Sequence, residues 1–262
     1  MNDPTMNDPA MNDPAGRAVT VEAAAKLTLT LRIVGVRADG YHLLDAEMVS
    51  VDLVDRLTID PAGTGISVTG PYAGGVPTDH RNLVARALES VGRTAHVAID
   101  KQIPHGGGLG GGSTDAAAVL RWCGVSDPEL AARIGADVPF CLHGGRARVG
   151  GIGEVLEPLP HVHRTITLVI PPLQVSTPAA YRAWDDLGGP TAPGDNDLEP
   201  AAIVVEPRLA WWRDRIGELT GVTPVLAGSG ATWMVPGEHD DALAALHDEG
   251  ARVVTTRTRA GT

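Results

Sequence analysis

The sequence predicts an α+β protein of two domains, and three observations carry that reading. Strand-like alternation and helix-like spacing both recur along the chain, neither displacing the other. With 262 residues and 43% apolar side chains, the chain can bury one large core or two modest ones. Two prolines and two histidines within residues 158–164 interrupt the pattern before a fresh apolar strand, which puts a soft boundary near residue 160.

The first 15 residues repeat a Met-Asn-Asp-Pro-x unit three times and have too little apolar surface to bury a core, so they read as a disordered tail. The expected domains are then 16–160 and 161–262. Over residues 19–36, Leu27, Leu29, Leu31 and Ile33 alternate with Thr28, Thr30 and Arg32, as in a half-buried strand. Asp39-Gly40 marks a turn, and a second alternating run follows over 45–59, so the two should pair antiparallel. Residues 82–91 carry Leu83, Val84, Ala87 and Leu88 at helical spacing, and 96–103 return to a strand. A glycine-rich loop then opens a helix over 113–122, with a short helix at 128–134. In the second half, a strand at 165–170 is followed by helices at 178–187, 207–219 and 239–249. These interleave with strands at 224–226, 232–235 and 252–256.

Net charge of −11 and a pI near 5.2 argue against a nucleic-acid groove or a basic membrane-binding face. A small-molecule partner is the better expectation. No apolar run reaches the roughly 18 to 20 residues of a membrane span. The N-terminus lacks a secretory pattern, and Cys123 and Cys141 make no disulfide framework, so a cytoplasmic location is expected. Of 21 basic residues only Lys26 and Lys101 are lysine. In a chain that otherwise uses arginine, each lysine marks a place where a compact ammonium serves and a planar fork does not.

The chemistry concentrates in Pro104, His105, Gly106, Gly107, Gly108, Leu109, Gly110, Gly111, Gly112, Ser113 and Thr114, followed by Asp115. Six glycines let successive amides turn toward one point, and the helix that follows adds its positive end, so the segment is an anion nest for phosphate. Ser113 and Thr114 can cap that helix or offer hydroxyls to the anion. A P-loop is excluded, because no lysine follows Lys101 anywhere in the chain. Gly106, Gly108 and Gly111 formally satisfy Gly-x-Gly-x-x-Gly, which leaves a dinucleotide fold open. His161 and His163 could share a strand face, but no third ligand at metal spacing accompanies them, and they read as surface residues.

This glycine stretch resembles the GHMP kinases. The likeness extends over most of residues 23–257, through Ala25-Lys26-Leu27, Asp39-Gly40-Tyr41-His42, Gly135-Ala136-Asp137-Val138-Pro139-Phe140, Asn196-Asp197-Leu198-Glu199-Pro200 and Gly228-Ser229-Gly230-Ala231-Thr232. It implies an N-terminal domain like ribosomal protein S5, a ferredoxin-like C-terminal sandwich, and ATP with Mg2+ at the glycine loop. The substrate implied is an alcohol bearing cytidine diphosphate, in isoprenoid precursor synthesis. Homoserine- or mevalonate-type kinases are the alternatives within the family, and a nicotinamide oxidoreductase or a non-catalytic nucleotide-binding module lie outside it. A monomer or weak homodimer is expected.

Residue by residue, the resemblance makes Lys26 and Asp137 the catalytic pair, an aspartate able to accept a hydroxyl proton beside an orienting ammonium. Tyr41 and His42 resemble the cytosine-recognition element, with Tyr181 on the other face of the base. Gly228-Ser229-Gly230 would brace the first loop, and Asn196-Asp197 would cap the helix ahead of Leu198 or border the substrate. Two features depart from the pattern. Thr28 stands where an asparagine often follows the lysine, and the interval from Trp122 to Gly135 is short.

Overall fold

The computed structural model describes residues 16–261, so the repeat of residues 1–15 lies outside the described residues. Two long strands, β1 (Val19–Val36) and β2 (His42–Asp60), pair antiparallel from Val19 opposite Ile59 to Val36 opposite His42. β3 (Gly65–Thr69) and β4 (His96–Asp100) extend the sheet on one side of β2, with helix α1 (Leu83–Ser90) between them in the chain. Helices α2 (Gly111–Trp122), α3 (Pro128–Ile134) and α4 (Val138–His143) follow, then β5 (Arg146–Gly151) and β6 (Val155–Pro158).

The second half runs β7 (Thr165–Ile170), α5 (Thr177–Asp186), α6 (Glu199–Val205), α7 (Arg208–Thr220), β8 (Val225–Leu226), β9 (Trp233–Pro236), α8 (Asp240–Leu243) and β10 (Arg252–Arg259). Residue 160 falls in the connection between β6 and β7. The last strand nevertheless joins the halves: β10 pairs with β7 over Arg252–Arg257, and then Thr258 and Arg259 pair with Val51 and Ser50 of β2. Only a short helix forms near 239–249, where α8 passes into a 3-10 turn, Ala244–His247.

β1 is not the half-buried strand that its alternation suggests. Ala25 to Leu29 are buried on both faces. One face meets the first-half core, and Leu27 and Leu29 pack with Val49, Ile166, Leu168 and Met234 in a cluster shared by both halves. Irregularities in the β1–β2 register fall between Ala24 and Lys26 and between Thr28 and Thr30, where a bulge re-aims side chains. His161 and His163 lie in the β6–β7 connection rather than on a strand, with their rings at right angles 4.5 Å apart. Among the described residues no helix is long and apolar enough to cross a membrane.

Candidate active site

The glycine loop connects β4 to α2 and lines a cleft of about 340 Å³ between the two halves. Gly110 is the N-cap of α2, with φ +66° and no side-chain cap, so no side chain at the cap position satisfies the first N–H groups of a twelve-residue helix. Such a free helix start is a ready anion site. The loop leans on the turn at Gly228–Gly230. A Cβ on Gly108 would run into the Ala227 carbonyl oxygen, and Thr232 N–H donates to the Gly107 carbonyl at 3.3 Å. Asn196 braces that turn by donating to the Leu226 and Gly228 carbonyls at 2.8 and 2.6 Å, while its own oxygen accepts from Leu198 N–H.

Not every loop residue faces the cleft. Pro104, His105, all six glycines and Ser113 line it, whereas Leu109 and Thr114 do not. The Leu109 side chain is fully buried in the shared cluster, and its carbonyl accepts from Lys26 N–H at 3.1 Å. Thr114 is buried as well. Its hydroxyl donates to the Ala24 carbonyl at 2.6 Å, which ties α2 to β1 and removes that hydroxyl from the cleft.

Lys26 crosses beneath the loop with its stem against Gly110, where an added Cβ would lie 2.6 Å from Lys26 Cγ. Its ammonium stands 3.3 Å from Asp137 Oδ2 and donates to Thr28 Oγ1 at 3.3 Å. Thr28, in place of the asparagine, therefore still meets the lysine. Asp137 occupies the N-cap position of α4, yet its side chain accepts no capping hydrogen bond. Its carboxylate, one-third exposed, is left to Lys26 and the cleft.

Tyr181 of α5 lines the same cleft. Burial, with the charge of Asp137 adding to it, pushes its phenol above the ordinary range, so the ring is neutral. His42 reaches the cleft only through that ring: the two centroids lie 4.7 Å apart, Trp184 meets His42 edge-on at 5.4 Å, and a hydrogen bond of 2.8 Å ties His42 Nε2 to Asp185. Tyr41 is not brought to the cleft. It sits in the β1–β2 turn, 56% exposed, with the Arg37 guanidinium 5.4 Å from its ring centre. The local sequence placed the tyrosine beside His42, but the turn aims consecutive side chains in different directions.

Sequence reasoning missed two parts of the wall. Val76, Pro77, Arg81, Asn82 and Leu83 close one end, with Asn82 capping α1. Behind the loop, Lys101 is buried between Asp55 and Asp115. The rarity of lysine was the one signal that pointed there.

The GHMP kinases N terminal domain model matches residues 82–145, the stretch holding α1, the loop, α2 and Asp137. A 4-diphosphocytidyl-2-C-methyl-D-erythritol kinase of Paracoccus denitrificans is 40% identical over 232 residues, covering 80% of this chain and 84% of that protein. One from Paramagnetospirillum magneticum is 39% identical over 248 residues, covering 81% and 87%. The chain belongs to the 4-diphosphocytidyl-2-C-methyl-D-erythritol kinase family. A crystal structure of a 4-(cytidine 5'-diphospho)-2C-methyl-D-erythritol kinase superposes with a TM-score of 0.74 at 32% identity, covering 93% of this chain and all of that one. A homoserine kinase from Cytophaga hutchinsonii, at 16% identity and TM-score 0.61, shares the fold alone. The α+β fold is thus that of the GHMP kinases, and the dinucleotide reading of the glycine spacing is set aside.

Proposed function

We propose that this enzyme transfers the γ-phosphate of ATP to the 2-hydroxyl of 4-diphosphocytidyl-2-C-methyl-D-erythritol, giving the 2-phosphate and ADP, in the non-mevalonate route to isoprenoid precursors. One observation carries the reading: Asp137, which caps nothing, faces Lys26 at 3.3 Å in the cleft onto which α2 opens its uncapped N-terminus. Bound ATP supplies the phosphoryl group, and its Mg2+ spreads the charge of the phosphates.

The amides of Gly110 to Ser113 would hold the phosphates, and Asn82 with Pro77 would border the base end of the cleft. Asp137 accepts the proton of the attacking hydroxyl. Lys26 pairs with Asp137, orients that hydroxyl together with Thr28, and offsets charge on the transferring oxygens. Tyr181 offers a face to the cytosine, with His42 steadying its ring from behind. Tyr41 can join only if the β1–β2 turn folds inward on binding.

The test is ADP release coupled to addition of the cytidine diphosphate substrate. Wild type should turn over, with homoserine and mevalonate inert. Asp137→Asn should lower kcat by about 10²-fold or more while nucleotide still binds. Near-normal turnover by that variant would remove Asp137 from the reaction.

A further inference from the structure

The second lysine of the chain has no place in the chemistry above. Lys101 is 1% exposed and lies in the segment that leaves β4 for the glycine loop. Its ammonium donates to Asp55 Oδ2 of β2 and, at 2.6 Å, to Asp115 Oδ2 in the first turns of α2. Asp55 also accepts from the N–H groups of Gln102 and Ile103 at 2.6 and 2.8 Å. All three side chains are almost wholly buried. Asp115 Oδ1 is buried with no hydrogen-bond partner, and both Lys101 and Asp115 line the cleft.

Stability does not account for this cluster. Replacing a buried ion triad with well-packed apolar side chains is often neutral or stabilising, and an unsatisfied buried carboxylate oxygen adds further cost. Geometry points elsewhere. Lys101 stands at the root by which the chain enters the glycine loop and Asp115 at the root by which it leaves, so their ion pair fixes the width of the loop. The fit is close at one point, since a Cβ on Gly111 would lie 2.9 Å from Lys101 Nζ. A glycine is needed there because the ammonium sits beneath it, and a planar guanidinium would press on the loop.

We propose that Lys101, clamped between Asp55 and Asp115, is a positioning residue for phosphoryl transfer that sets the geometry of the phosphate loop from below, with Asp115 matching its charge to the bound phosphates. This rests on ATP occupying the glycine loop. With both aspartates ionised, the triad carries net negative charge beside a polyphosphate site, and a proton on Asp115 cancels it. Burial raises Asp115 to about 7, against the pull of Lys101 and with the charge of Asp55 adding to it. Lys101 itself is lowered by burial, but the two carboxylates more than offset this, and it stays charged.

The groups facing Asp115 are few. Asp55 comes from β2 and Lys101 from the loop root. β1 brings Lys26 against Gly110, and α4 brings Cys141, which burial and then the charge of Asp137 push up to about 12. α1 packs on α2 through the apolar Val84, Ala87 and Leu88. His105 also stands at the cleft rim, and it is left intact in the variants below.

Steady-state kinetics on Lys101→Arg and Asp115→Asn, with wild type in the same assay, test this. Lys101→Arg keeps the charge and spoils the fit, so the KM for ATP should rise about tenfold to hundredfold while the KM for the cytidine substrate stays near wild type. In wild type the KM for ATP should climb as pH rises from about 6 to 8, by at most tenfold per unit, because the phosphate-bound form holds one more proton. Asp115→Asn should flatten that climb, while the titration of ATP remains common to both proteins. An unchanged KM for ATP in Lys101→Arg, an equal rise for both substrates, or a wild-type pH profile in Asp115→Asn would overturn the proposal. If Lys101→Arg fails to fold, the Asp115→Asn profile decides alone. Absence of wild-type turnover would refute the proposed reaction instead, and so is distinguishable from failure of this inference.

Discussion

At the scale of single residues, neighbouring glycines of the glycine loop differ in what they tolerate. Gly108 has φ +80°, and a side chain there would meet the Ala227 carbonyl, which belongs to backbone and cannot swing away. Gly112 would meet only Leu83 Cδ1 at 3.7 Å, an ordinary contact. Gly108→Ala should therefore cost about 1–3 kcal/mol in chemical denaturation and spoil ATP turnover, whereas Gly112→Ala should lie within about 0.5 kcal/mol of wild type. Equal destabilisation by the two would show that the contact between the loop and the Ala227 turn is not tight. The aspartates divide in a similar way. Asp127 caps α3 by accepting from Glu129 N–H at 2.9 Å, whereas Asp137 begins α4 with its carboxylate free for Lys26. Both stand before a short helix in the sequence, and the motif around Asp137 separates them where residue type does not.

Among the elements, α2 and α1 do different work. α2 starts with its first turn open, because its Gly110 cap makes no side-chain hydrogen bond. α1 is short and closed: Asn82 accepts from Val84 N–H at 2.9 Å and donates to the Pro77 carbonyl at 2.7 Å, which fixes the wall of the cleft beside the helix. Asn82→Ala should lower stability by about 1 kcal/mol, read from the shift of the urea midpoint, and should raise the KM for ATP because the wall at Pro77 loosens with the cap. A variant with wild-type KM would uncouple the cap from the cleft. Helices of ordinary length, such as α2 and α7, were legible in the sequence to within a residue or two at most of their ends. α4 and α6 were not, because six or seven residues with a proline in the first turn show too few periods to register.

For the molecule as a whole, the two halves share a core and a strand. Leu27 and Leu29 of β1 pack with Ile166 and Leu168 of β7, and β10 pairs with both β7 and β2. Asn196 adds a polar link, forming a bridge to Leu31 of β1 while it holds the two carbonyls of the Gly228 turn. Thermal unfolding should accordingly be a single cooperative transition. Asn196→Ala should keep that cooperativity and lose about 1–3 kcal/mol, since it strands buried carbonyl groups. Two separate transitions in calorimetry would mean that the shared cluster does not couple the halves.

By itself the sequence determined the α+β class and singled out the glycine loop as a candidate anion nest, because strand alternation and glycine spacing are local properties of the chain, while Lys26 and Asp137 were paired only through the family resemblance. Tertiary structure alone decided what each side chain faces. It turned Tyr41 outward, gave the Thr114 hydroxyl to the Ala24 carbonyl, and buried Ala25–Leu29 of β1 on both faces. It also brought Asp55, Lys101 and Asp115 together from separate elements. Burial and ion pairing depend on segments far apart in the chain, and alternation along one strand carries no record of what packs against its second face.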